Sequence, residues 1–126
     1  MKLPEGYHAI TPYFTVSNAD QFLEFLVDAF DATIIARKQC PNSRIQHARA
    51  LIGDSIIMLK ESNAQYPANQ SQMHLYVDNV DIVFSKALPA GAASIMEPNV
   101  RPHGDRMAGV KDPLENIWWI AKHENR

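Results

Sequence analysis

The chain contains a second copy of part of itself. Val16–Ile34 (VSNADQFLEFLVDAFDATI) overlays Val77–Ile95 (VDNVDIVFSKALPAGAASI) without a gap, at a constant shift of 61 positions. Val16/Val77, Asn18/Asn79, Asp20/Asp81, Ala29/Ala90, Ala32/Ala93 and Ile34/Ile95 are identical, where ordinary residue usage gives about one match. The same shift lays Ile56–Leu59 on Ile117–Ile120. A two-copy chain has a pseudo-twofold axis, and the seam between copies is the natural place for a cavity.

Each copy is short for a stable domain, so one domain over 1–126 with a shared core is expected. Net charge is −2 with both signs interspersed, which points away from nucleic-acid partners. No apolar run approaches a membrane span, and MKLPEGYH has no apolar signal core, so a cytoplasmic location and no membrane partner are expected. Cys40 is the sole cysteine. It excludes an internal disulfide and a Cys-rich zinc site, and Gln39 and Pro41 beside it supply nothing to activate a thiolate.

Ala9–Val16 is rich in β-branched and aromatic residues and predicts a strand. Ser17 or Asn18 then caps a helix whose apolar residues Ala19, Phe22, Leu23, Leu26 and Val27 fall on one face. Val80, Val83, Phe84, Ala87 and Leu88 repeat that spacing after Asp78 or Asn79, and Pro89 and Gly91 end the second helix. Strands follow at Thr33–Arg37, Arg44–Ile52 and Ser55–Lys60, the last two joined by Gly53-Asp54, which suits a tight hairpin. Ala93–Glu97, Arg106–Lys111 and Asn116–Ala121 are their counterparts. The expected class is α+β. Two tandem β-α-β-β-β modules, about 8–60 and 72–123, are joined by a polar linker at about 61–71. They form a curved, partly closed mixed sheet around a cavity, with helices outside.

The segments TPYFTV, RIQHARALIGDSIIML, HLYVDNVDIVFSKALPAGA and HGDRMAGVKDPLENIWWIAKH resemble the PhnB-like, glyoxalase-annotated branch of the vicinal-oxygen-chelate superfamily. That superfamily holds glyoxalase I, extradiol dioxygenases, and bleomycin- and fosfomycin-resistance proteins. The resemblance covers nearly the whole chain and implies the same tandem-module fold. Metal-using members place one ligand on the first strand and one on the last strand of each module. Those positions correspond here to Thr11, Met58, Gln72 and Trp119, and the internal shift maps Thr11 onto Gln72 and Met58 onto Trp119. A divalent transition ion wants imidazole, thiolate or carboxylate. Threonine and glutamine offer neutral oxygen, methionine a weak thioether, and the indole no lone pair. No metal and no other cofactor are therefore expected. The alternative is a divalent metal rebuilt on other groups.

Gln72, His74 and Tyr76 share one strand face, and His47 lies mid-strand. His47 and His74 are candidate catalytic groups that could meet across a pocket. The simpler reading makes each a half-buried strand residue bonded to backbone or water. His8, His103 and His123 fall at element ends and read as solvated. Arg106 either offers its fork to a carboxylate or phosphate at a pocket mouth, or forms a structural ion pair, Asp105 being the nearest candidate. Asp112-Pro113 reads as turn chemistry. The branch commonly has an aromatic residue and a glycine next, and Leu114-Glu115 replaces them. Trp118 and Trp119 must face opposite sides of their strand. With Tyr13 and Tyr76 the inward one makes an aromatic wall for a flat or cationic ligand.

The candidate cavity set is thus Thr11, Tyr13, Met58, Gln72, His74, Tyr76, Arg106 and Trp119. The expected activity is metal-independent binding of a small organic molecule by a homodimer. The alternative is a glyoxalase- or dioxygenase-like enzyme using His47, His74 or Gln72.

Overall fold

The computed structural model describes residues 1–124. Two modules of identical topology follow one another. The first comprises β1 (Tyr13–Val16), α1 (Ala19–Phe30), β2 (Thr33–Gln39), β3 (Ile45–Ile52) and β4 (Ser55–Glu61). The second comprises β5 (Gln72–Tyr76), α2 (Val80–Ala87), β6 (Ala93–Val100), β7 (Arg106–Lys111) and β8 (Ile117–Lys122). Each forms a four-stranded mixed sheet, ordered β1-β4-β3-β2 and β5-β8-β7-β6. The first strand runs parallel to the last, and the others pair antiparallel. The α+β class and the duplicated module are as expected.

The repeated residues have local causes. The Asn18 side chain accepts from the Gln21 amide and that of Asn79 from the Ile82 amide, both at 3.1 Å. Of the two candidate caps in each copy, the asparagine is the one used, and it satisfies an otherwise orphaned helix donor. Asp20 accepts from the guanidinium of Arg44 at 3.0 Å, and Asp81 from that of Arg106 at 2.7 and 2.8 Å. The same ion pair therefore ties the first turn of each helix to the start of the third strand of its module. Beginning β1 at Tyr13 leaves Thr11 in irregular backbone, where Pro12 has no N–H for a ladder. β2 and β6 run longer than expected and both carry bulges, those in β6 falling between Ser94 and Met96 and between Met96 and Asn99.

The helix-bearing faces of both sheets meet in one core. Phe14 of β1 stacks on Trp118 of β8 at 5.7 Å, and Phe30 of α1 reaches the same indole at 4.8 Å. Phe22, Leu26, Leu59, Val110 and Ile120 complete that interior, all essentially inaccessible. This differs from helices on the outside of one curved sheet. The two sheets stay separate, neither closes into a barrel, and the face of each that lacks a helix looks outward. The reason is the helix faces: α1 alone buries three phenylalanines, and the back-to-back arrangement hides that apolar surface from water.

Candidate functional site

Strand alternation decides which side chains reach the outward faces. In β3 and β4, Ala48, Ala50, Ile57 and Leu59 are buried, so His47, Arg49, Met58 and Lys60 point away from the core. Tyr13 and Thr15 join them from β1, and the pairing of Lys38 with His47 adds that lysine. In the second sheet, Met73, Leu75, Trp118 and Ile120 pack inward. Gln72, His74, Tyr76, Met107 and Trp119 point outward.

On the second sheet the indole N–H of Trp119 donates to the side-chain oxygen of Gln72. The two positions that the resemblance marks for metal ligands are thus bonded to each other. The Trp119 ring packs against Gly109, where an added Cβ would meet it at 2.5 Å. A hollow of about 290 Å³ beside it is lined by His74, Met96, Arg101, Met107 and Trp119. The rings of His74 and Tyr76 sit 4.8 Å apart on the same strand face.

On the first sheet, Tyr13, Lys38, Gln46, His47 and Lys60 line another hollow of about 290 Å³. Tyr13, Thr15, Lys60 and Tyr66 line its neighbour. The Lys60 ammonium lies 4.5 Å above the Tyr66 ring, a cation–π arrangement. Arg49 donates to the Tyr7 hydroxyl at 2.8 Å, so the N-terminal turn rests on this face. Desolvation, then the charges of Arg49, Lys38 and Lys60, hold the His47 imidazole below its ordinary value.

Several expectations change. His47 and His74 lie on different sheets and line separate hollows, so within one chain they do not meet. Arg106 is turned to Asp81 at the start of α2 rather than to a pocket mouth, and it holds the Asp81 carboxyl below its usual range. Its partner is not Asp105, which instead pairs with His123 at 3.3 Å. The guanidinium at the hollow belongs to Arg101. No residue pattern singles it out, because the bulged end of β6 hides which side it takes. Thr11 and Met58 line none of these three hollows. Among the described residues, no group of three or more His, Cys, Asp or Glu side chains converges as a metal site would. The donor chemistry at Thr11, Met58, Gln72 and Trp119 therefore does not fit a transition ion.

The seam between modules holds a larger crevice of about 440 Å³. Phe30, Ile52, Leu75 and Val83 floor it, and the Asp31–Lys86 ion pair (2.8 Å) crosses between helices at its rim. Of the candidate residues only Tyr76 reaches it. Among the described residues no helix is long and apolar enough to cross a membrane.

The profile of the Glyoxalase/Bleomycin resistance protein/Dioxygenase superfamily matches residues 7–120. An uncharacterized protein of Mycobacterium bovis is 31% identical over 125 residues, spanning 90% of this chain and 82% of that one. TioX from Micromonospora sp. ML1 superposes with a TM-score of 0.80 at 23% identity, covering 93% of this chain and 99% of that chain. The PhnB protein from Bacillus cereus superposes at 0.69 and 16% identity, covering 92% and 100%. At these identities the two structures speak for the fold alone.

Proposed function

The chain belongs to the Glyoxalase/Bleomycin resistance protein/Dioxygenase superfamily, and from that premise we propose that it is a metal-independent small-molecule-binding protein. The observation that carries this reading is the Trp119–Gln72 hydrogen bond. A side chain with no lone pair to offer occupies one ligand position and engages the neutral amide oxygen at the other. What remains around it, an indole, two thioethers, an imidazole and a guanidinium, is the apolar wall with a few polar anchors that small-ligand sites present. Titration with Zn²⁺, Ni²⁺, Mn²⁺ or Fe²⁺ followed by metal analysis checks it. No stoichiometric metal is expected. A full equivalent that disappears in Gln72→Ala would overturn the reading.

We also propose that the working unit is a homodimer. Tyr13 is 50% exposed and Tyr76 63% exposed on the outward faces, and such apolar surface favours a partner. The lysines of the first sheet complement the aromatic rings of the second, and a twofold operator makes that contact twice. Light scattering on the eluted protein should give twice 14.2 kDa. A monomer mass at micromolar concentration rejects this assembly.

One observation favours a second reading, that of an enzyme. His47 lines a first-sheet hollow beside Tyr13, Lys38 and Lys60, where an imidazole can exchange a proton with a bound molecule. Under that reading His47→Ala abolishes turnover while the fold survives. Turnover lost on chelation would point instead to a rebuilt metal site.

A further inference from the structure

The outward hollows share one property that the whole chain does not. Lys38, Lys60, Arg101, His47 and His74 line them, and no aspartate or glutamate does. The chain as a whole carries 14 acidic against 12 basic residues. Outside these hollows, Arg44, Lys86 and Arg106 each hold a carboxylate between 2.7 and 3.0 Å. Among the described residues, Arg101, Lys38 and Lys60 form no ion pair.

Arg101 is positioned rather than loose. Its amide donates to the Asp105 carbonyl and its own carbonyl accepts from Gly104, both at 2.8 Å, closing a tight turn after β6. Gly104 supplies the positive φ of 102° that this turn needs. One guanidinium nitrogen donates to the Asn99 side-chain oxygen at 3.1 Å. That neutral acceptor orients the fork without cancelling its charge, and further N–H groups remain for a ligand. Beside it lie Met96, Met107 and the Trp119 ring.

We propose that the second-sheet hollow selects a small organic anion, its ring lying against Trp119, Met96 and Met107 and its carboxylate held by Arg101. This rests on reading the outward faces as a ligand site, and it replaces the flat or cationic ligand that the aromatic residues alone suggest. The volume of about 290 Å³ suits one or two fused rings, just below the roughly 300–1,000 Å³ of small-ligand sites. The basic first-sheet face, with Lys38, Lys60 and His47 and no carboxylate in its lining, adds a field of the same sign.

The test is calorimetric titration of the full chain with 2-naphthoate, neutral 2-naphthamide and cationic 2-naphthylmethylammonium. These share a ring system and differ in charge. Naphthoate should bind about tenfold or more tightly than either analogue, as a charge-assisted hydrogen bond allows. Arg101→Gln should remove that preference and leave naphthamide unchanged. Arg101→Lys should keep part of it, and Arg106→Gln all of it. Added salt should weaken naphthoate alone. Equal binding of all three, or a naphthoate preference surviving Arg101→Gln, overturns the anion assignment while the binding function stands. No binding of any of the three overturns both. The comparison of probes uses the unmodified chain, so it decides even if a variant misfolds.

Discussion

Asp112 is 4% exposed and is surrounded by donors. It accepts from the Leu114 and Asn116 amides at 2.8 and 3.1 Å, and from the Trp118 indole at 2.8 Å. Burial nevertheless outweighs these bonds and pushes its carboxyl above the usual range. A raised carboxyl binds protons in the folded state that the unfolded chain has released. Its contribution to stability therefore falls as pH rises from 3.8 through the folded value. Asp112→Asn should remove that slope yet cost about 1–3 kcal/mol at neutral pH, because a planar amide cannot accept from all three donors in the same way. Denaturant melts at several pH values check both. Three residues on, Glu115 holds φ at 75°, the left-handed region that favours glycine, so the turn forms despite the substitution. Glu115→Gly should gain about 0.5–1 kcal/mol. The Asp-Pro turn was legible in the sequence because its chemistry is local. The site guanidinium was not: Arg101 and Arg106 are equally plausible until backbone register assigns each a side.

At the scale of the element, the repeat was legible in part because two of its identities do the same work twice. Asn18 and Asn79 cap, and Asp20 and Asp81 anchor an arginine. Asn18→Ala should cost about 1 kcal/mol, read from the urea midpoint, since α1 contributes Phe22, Phe25 and Phe30 to the core. Strand β8 shows what element patterns leave out. Alternation separates Trp118 from Trp119, as expected, but nothing in a one-dimensional string says that the second indole lies on Gly109. A methyl group there would meet the ring at 2.5 Å. Gly109→Ala should therefore displace Trp119, break its bond to Gln72 and weaken ligand binding severalfold. The fluorescence of Trp119 should change while helix content by circular dichroism does not. An unchanged emission spectrum would show that the ring is held by something else.

For the whole molecule, the class and the duplication could be read from residue patterns, but the direction in which the modules face could not. Amphipathic helices and alternating strands fit a cavity wrapped within the chain as well as a back-to-back pair. The choice depends on contacts such as Phe14 with Trp118, which lie far apart in sequence. The outcome places His47 on an outward face among like charges. Its depressed titration means that the unfolded chain binds the proton more tightly. Stability should thus be full above the ordinary value of 6.5 and fall as pH drops through the folded value. His47→Gln should flatten that decline, as thermal melts across that range will show.

The stacking of Phe14 on Trp118 joins residues that lie on either side of the irregular segment 62–71. A protease nick within that segment would cut the covalent path and leave the aromatic clasp intact. The resulting fragments should comigrate on a native gel and separate only in denaturant. Produced alone, each fragment would bare the apolar face that its sister normally hides, and clumping would be its fate.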